Sequence, residues 1–372
     1  MDPLDRRSLL AAVGAGTVSL AGCLGRSGPT SAETTGVPPT EPAASGPPSS
    51  DRAQPHAYTP AELEAASRSG GPPPDGIPAI EEPQFTAATS SPASLAADDP
   101  VFGVSLGDKP KAYPQAILVH HEIVNDVVDD VPVAVTYCPL TGTAQGFFRG
   151  ETTFGVSGQL INANLVMYDR AEEHWWPQVL GRRITGPDPG ELLAEFPVTW
   201  TTWERWRSRH PETVVLTDET GFARNYGSDP YGGYNPPSGY YASDGFIFPP
   251  MVEDDRLAPK TVVIGMRSAR GAVAVRKDRL RNERIIRFNL SGVAHAAVYD
   301  SALDTGYVYR LEEPSGTTTS PGAEATMSWV GGQIAVDGER YTAGAMPFAR
   351  ELTLDAMWFA WYGFYPMTAL LR

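Results

Sequence analysis

From about residue 100 onward the apolar positions fall in short runs separated by polar turns rather than in long helical stripes. Two valine-rich runs, 123–128 and 131–137, flank Asp129-Asp130, the pattern of strand, two-residue turn and strand that makes a β-hairpin. With Asp129 and Asp130 as the loop, paired positions sum to 259, so Val128 faces Val131 and His121 faces Cys138. Directly opposed residues have Cβ atoms about 4.5–5.5 Å apart, and a slip of one residue would bring His120 or Glu122 there instead. Residues 261–266 read as another half-buried strand, and 204–210 and 355–365 as short helices. Two tryptophans three apart accompany each helix, Trp203/Trp206 at the start of the first and Trp358/Trp361 within the second; each pair shares one face and is expected to fill the core. The fold class expected is α+β with antiparallel strands dominating.

The same order of features occurs twice. Val101-Phe102-Gly103-Val104 before Lys111-Ala112-Tyr113 is matched by Val263-Ile264-Gly265-Met266 before Val273-Ala274-Val275. At an offset of 162, Val135-Thr136-Tyr137-Cys138 is matched by Ala297-Val298-Tyr299-Asp300. Each copy then reaches an aromatic-rich strand ending in Arg149 or Arg310, and each ends on its tryptophan pair followed by Pro211-x-Thr213 or Pro366-x-Thr368. An internal duplication is expected, with halves at 96–225 and 261–372 joined by a loop over 226–260. The period is far longer than that of solenoid repeats.

The chain ahead of residue 96 has a different pattern. Arg6 and Arg7 precede an apolar run from Leu9 to Leu20, too short to span a bilayer and suited to a signal segment. It ends in Leu20-Ala21-Gly22-Cys23, which resembles a lipobox, and the paired arginines resemble a twin-arginine export signal. Residues 1–26 are therefore expected to be a signal, with Cys23 lipidated and the membrane as partner through that lipid on the extracellular face. Residues 27–100 hold 15 of the chain's 35 prolines, so 27–95 is expected to be a disordered tether.

Composition adds three constraints. A net charge of −15 over 372 residues excludes a general nucleic-acid binder, which needs a basic face. Only Lys109, Lys111, Lys260 and Lys277 among 29 basic residues are lysines, so positive charge here is almost entirely guanidinium. Once Cys23 is lipidated, Cys138 is the only thiol left, so no internal disulfide is available.

Cys138 beside His121 invites three readings. His121 could lower the thiol pKa to make a nucleophile or redox-active thiolate, with Thr141 and Thr143 in the following turn-rich loop holding an anion. Thiolate and imidazole could instead bind copper or zinc, with His120, His174 or Met167 adding ligands. Cys138 could also be a small buried hydrophobe with His121 bonded to backbone. Asp300 stands in the second copy where Cys138 stands in the first, so any thiol site occurs once. Tyr226 and Tyr231, in a loop of tyrosines and glycines, suit stacking on a ligand or simple packing. Asp169, Arg170 and Gln178 lie in a dense polar-aromatic stretch, where Asp169 and Arg170 pair with each other or Arg170 and Gln178 line a pocket.

Several of these segments together resemble domain-of-unknown-function family 3179. They are Lys111-Ala112-Tyr113-Pro114, His121-Glu122-Ile123-Val124-Asn125-Asp126, Tyr137-Cys138-Pro139-Leu140-Thr141-Gly142-Thr143-Ala144, Phe154-Gly155-Val156-Ser157-Gly158 and Met167-Tyr168-Asp169-Arg170. Tyr226-Gly227-x-Asp229-Pro230-Tyr231 and Trp361-x-x-Phe364-x-Pro366-x-Thr368 extend the resemblance to nearly all of the chain after residue 99. It implies an exported protein, often a lipoprotein, and no particular chemistry. Some members of that family carry a second cysteine three after the first, where this chain has Thr141, which argues against an obligatory dithiol. The expectation is a surface-tethered binding protein with a ligand or metal site around Cys138 and His121. The rivals are a cysteine-dependent enzyme and a structural surface protein.

Overall fold

The computed structural model describes residues 45–92, 94–311, 322 and 324–371. The expected signal with Cys23, and residues 27–44 of the expected tether, lie outside the described residues. Ahead of the first half come α1 (Pro60–Ala65), β1 (Arg68–Ser69) and β2 (Phe85–Ala87). The first half runs β3 (Pro100–Val104), β4 (Lys111–Pro114), α2 (Gln115–His121), β5 (Ile123–Val128), β6 (Val131–Cys138) and β7 (Thr143–Phe148). It continues through β8 (Phe154–Ile161), β9 (Asn164–Asp169), β10 (Trp175–Pro177) and β11 (Glu195–Phe196), and closes with β12 (Thr199–Thr202), α3 (Trp203–Arg209) and β13 (Val214–Leu216). The second half runs β14 (Val262–Ser268), β15 (Gly271–Arg276), α4 (Lys277–Glu283), β16 (Ile285–Leu290), β17 (Val293–Asp300) and β18 (Thr305–Arg310). A meander of β19 (Met327–Val330), β20 (Gln333–Val336) and β21 (Glu339–Tyr341) follows. The chain ends with β22 (Ala349–Glu351), β23 (Thr353–Met357), α5 (Trp358–Phe364) and β24 (Ala369–Leu371).

The sheets are open and mostly antiparallel. In the first half the orders are β12-β3-β4-β13-β2 and β11-β7-β6-β5; in the second they are β23-β14-β15-β24 and β22-β18-β17-β16. The exceptions to antiparallel pairing also correspond, since β4 pairs β13 in parallel and β15 pairs β24 in parallel. Two further sheets, β1-β8-β9-β10 and β19-β20-β21, fill the intervals where the halves differ.

The expected hairpin register holds over all six pairs, from Val128↔Val131 to Ile123↔Thr136. Asp129 and Asp130 both take positive φ, 46° and 64°, the two left-handed residues of a type I′ turn, which matches the twist of the flanking strands. The strand nevertheless starts at Ile123. Gln115–His121 is a helix ended by Glu122 at φ 60°, so His121 belongs to α2 and not to the hairpin. In the second half α4 ends on Arg284 at φ 70°. Neither cap is a glycine, so the usual sequence signal for a helix stop is missing. The helix expected over 355–365 is also shorter, because Asp355 lies in β23.

One contact fixes each closing helix to its sheet. A Cβ placed on Gly103 would lie 2.2 Å from the Trp206 ring, and one on Gly265 would lie 2.3 Å from the Trp361 ring. Each indole therefore lies flat on strand backbone where only glycine leaves room. The far edge of each ring is tied down as well: Trp206 Nε1 donates to Thr213 Oγ1 at 2.9 Å, and Trp361 Nε1 to Thr368 Oγ1 at 2.9 Å. All four tryptophans of the two pairs are fully buried.

The tether expectation is corrected for residues 45–95. Leu63, Ala79 and Ile80 are buried, β1 pairs β8, and β2 pairs β13. Ile80 joins the open edge of β5, its N–H donating to Ile123 O at 2.9 Å and its carbonyl accepting from Asn125 N at 2.8 Å. A proline-rich segment needs few apolar side chains when preformed strand edges satisfy its backbone.

Gly103→Ala should cost about 3 kcal/mol, the upper end for overpacking, and Trp206→Ala 3–5 kcal/mol, typical of a lost buried aromatic. Removing the indole relieves the clash, so in urea titration the double variant should fall short of the sum by more than about 1 kcal/mol. Additive losses would mean that the two groups are not in contact.

Candidate functional site

The structure does not bring Cys138 and His121 together. Cys138 ends β6 opposite Thr143 of β7, fully buried, with its thiol directed at Ala163 O 3.8 Å away. Burial pushes that thiol up to about 11, with the Glu122 carboxylate adding to the rise, which is the opposite of what a thiolate nucleophile needs. His121 faces the other way: Nδ1 lies 2.7 Å from Pro78 O and Nε2 lies 2.7 Å from Tyr226 Oη. A carbonyl can only accept, so Nδ1 carries the proton and Nε2 accepts from the tyrosine. Burial lowers the His121 pKa to about 4, because a charged ring would have no water there.

The metal set is dispersed too. Met167 is buried on β9, His120 contacts Ser228 O at 3.1 Å, and His174 lies 3.0 Å from Glu172. Among the described residues no group of three or more His, Cys, Asp or Glu side chains could hold a metal ion. The residues proposed for copper or zinc do not fit one.

The loop after Cys138 is a buried polar core rather than an anion cradle. Thr141 and Thr143 hydroxyls lie 2.8 Å apart, Thr143 Oγ1 donates to Gln178 Oε1 at 2.7 Å, and Asn164 Nδ2 donates to Gln178 Oε1 at 2.9 Å. Gln178 Nε2 completes the set by donating to Thr136 Oγ1 at 3.0 Å. A network satisfied within the protein specifies packing and leaves no donor for a ligand. The second half seals it, because Met357 N–H donates to Thr141 O at 3.0 Å. Asn162, at the tip of the β8–β9 hairpin, donates to Ala360 O at 3.0 Å and accepts from Met251 N at 2.8 Å.

Asp169 and Arg170 do not pair with each other. Asp169 accepts from Trp176 Nε1 at 2.9 Å and from Glu172 N at 2.7 Å. Arg170 forks onto Asp75 at 2.7 and 2.9 Å and so pins the amino-terminal segment. Tyr231 is partly buried against Tyr240 and Tyr241, and Tyr226 caps His121.

An open site lies instead between the halves. A cleft of about 460 Å³ is walled by Trp200 and Tyr234 on one side and by Lys277, Arg281, Asp304 and Asp355 on the other. The two rings lie 4.8 Å apart. Lys277 Nζ lies 2.5 Å from Asp355 Oδ2, and Arg281 forks onto Asp304 at 2.9 and 2.8 Å. Burial would raise the Asp304 carboxyl, but the Tyr299 hydroxyl, Lys277 and Arg281 together hold it below the usual range. Sequence reasoning missed this cleft because its walls come from β12, the loop after β13, α4 and β23, far apart in the chain.

The family model described as "Protein of unknown function (DUF3179)" matches residues 74–368. The chain belongs to this family. No curated protein and no solved structure matches it. The DUF3179 region takes in the first half, the covering loop over 226–260, the whole cleft and the second half through α5, whereas α1 and β1 precede it and β24 follows it. No helix among the described residues of this DUF3179 protein is long and apolar enough to cross a membrane.

The His121 environment has a pH consequence. A folded pKa near 4 against an ordinary value of 6.5 means that the unfolded chain binds the extra proton first as pH falls. The stability this neutral ring contributes is present above about pH 6.5 and is lost as pH falls toward 4. Melting temperature should therefore drop over that window, with His121→Asn flattening the drop by on the order of 5 °C. Equal slopes in parent and variant would refute the assignment.

Proposed function

We propose that this chain is a ligand-binding protein held at the outer membrane face by a lipid on Cys23, and that the cleft between its halves takes a small, hydroxyl-rich ligand of the saccharide class. The observation carrying this reading is the cleft itself, which combines an aromatic wall with cations and carboxylates that can donate to and accept from hydroxyls. Its volume suits a small molecule. The cysteine-dependent enzyme finds no support in a buried thiol with a raised pKa.

A duplication underlies the arrangement in this reading. The offset of 162 holds for β5, β6 and β7 against β16, β17 and β18, which supports a common ancestry of the halves. By the same offset Lys277 stands where Gln115 stands in the first half. There the covering loop closes over the helix start, Gln115 Nε2 donating to Asp229 Oδ2 at 2.8 Å. In the second half the equivalent position opens into the cleft. One of two similar sites is thus closed by its own chain and the other is left for a ligand.

The anchor is tested by detergent-phase partitioning. Full-length protein from its native host should enter the detergent phase and Cys23→Ser the aqueous phase; detergent partitioning of the variant would remove the anchor. The cleft is tested by calorimetry with a panel of neutral and acidic mono- and disaccharides. At least one should bind, and Arg281→Met should weaken it by roughly 10-fold or more, the worth of a charge-assisted hydrogen bond. No binding across the panel, or unchanged affinity in Arg281→Met, would reject the cleft as a saccharide site.

A further inference from the structure

The chain holds seven asparagines, and only Asn289 is followed two residues on by serine or threonine with no proline between, in Asn289-Leu290-Ser291. That spacing is the acceptor pattern for N-linked glycosylation. A single match in a chain of this size is close to what chance provides, so the pattern counts only through where the fold puts it. Asn125, Asn162 and Asn164 are buried. Asn289 and Ser291 are both exposed.

Asn289 belongs to β16, the outermost strand of its sheet, and pairs with Ala294 one step before the β16–β17 turn. Ser291 and Gly292 form that turn, with φ of 49° and 87°. Strand alternation sends Ile286 and Leu290 into the core and puts Asn289 on the other face with Arg287. Asn289 Oδ1 accepts from Gly292 N–H at 2.8 Å, and Ser291 Oγ donates to Arg270 O at 2.9 Å. Asn289 Nδ2 has no hydrogen-bond partner among the described residues. The bond that holds the carboxamide in place therefore leaves its nitrogen unoccupied.

We propose that Asn289 is glycosylated on the outer face of the membrane, with Leu290-Ser291 completing the acceptor site. The inference rests on the outer-face location proposed above, because the lipid-linked donor is used on that side. Nδ2 forms a bond to the anomeric carbon of a glycan carried on a polyisoprenyl phosphate and presented by a membrane-bound transferase. The anomeric C–O bond breaks, the lipid phosphate leaves with its electron pair, and one Nδ2 proton passes to a base on the transferase. A chain exported folded, by the route that Arg6-Arg7 resembles, can be modified only where its fold leaves an acceptor exposed. The β16–β17 turn is such a place.

Full-length protein is purified from the membranes of its native host and digested with trypsin. Cleavage after Arg287 and Arg310 releases residues 288–310, in which Asn289 is the only asparagine. Tandem mass spectrometry should find this peptide carrying a glycan at Asn289. Asn289→Asp, which keeps the acceptor for Gly292 N–H, should remove the glycan. Ser291→Ala should remove it too, although the asparagine stays in place. Both positions are exposed, so both variants should reach the membrane in parental amounts. The peptide at its unmodified mass, in protein that protease reaches on intact cells, would overturn the glycan and leave the outer-face reading standing. Protein that protease cannot reach on intact cells would overturn both. A glycan that survives either substitution would overturn the assignment of Asn289-Leu290-Ser291 as the acceptor.

Discussion

The fold depends on a tryptophan ring lying flat against strand backbone, made once in each half. Trp206 over Gly103 and Trp361 over Gly265 bring a helix closer to its sheet than any side chain between them would allow. The indole N–H then reaches past the strand to Thr213 or Thr368, just before β13 or β24. That hydrogen bond sets where the closing strand begins, and so brings it in parallel beside β4 or β15. Sheet, helix and returning strand are thus fixed by one large side chain whose apolar face and single polar atom both find partners.

Joining the halves requires polar contacts to be buried. Arg267 of β14 reaches Glu195 of β11, with side chains 3% and 8% exposed. Desolvating such a pair offsets much of its attraction, so its worth lies more in alignment than in net stability. Asn162 does the same with backbone, serving Ala360 O and Met251 N from one amide. Since Met357 N–H also caps Thr141 O, the loop that follows Cys138 is interior wherever the second half is docked. The chemistry that a cysteine, two threonines and a histidine suggest is thereby spent on assembly.

How much of this was legible follows from the range of each interaction. The β5–β6 hairpin was readable with its register, because the valine runs and Asp129-Asp130 state strand and turn locally. The tryptophan pairs were readable because a three-residue spacing already places them on one face. Helix α2 was not, since Ile117 and Val119 suit a strand as well as a helix and Glu122 stops it without glycine. That single misreading placed His121 opposite Cys138. The ordered stretch 45–95 escaped for another reason: composition averages over a window, whereas Leu63 anchors α1 in a core built by distant residues and Ile80 pairs on the edge of β5. The cleft between the halves was illegible because its walls come from segments far apart in the chain, Trp200 in β12 and Tyr234 in the loop after β13 against α4, Asp304 and β23.

The two halves differ in the interval that follows β7 and β18. In the first half the interval between β7 and β11 holds the β8–β9 hairpin, whose tip seals the domain junction through Asn162. In the second half the corresponding interval between β18 and β22 holds the β19–β21 meander. Arg310, at the end of β18, pairs with Ala349 and Arg350 in β22 with Tyr309, so the two arginines leave opposite faces of the sheet, Arg310 beside Glu351 and Arg350 over the Tyr307 ring. A β-ladder imposes such a division because its register is set by the whole strand, and a one-residue slip would exchange the two faces. The two halves thus share their main sheet pairings and differ in what fills the interval between them.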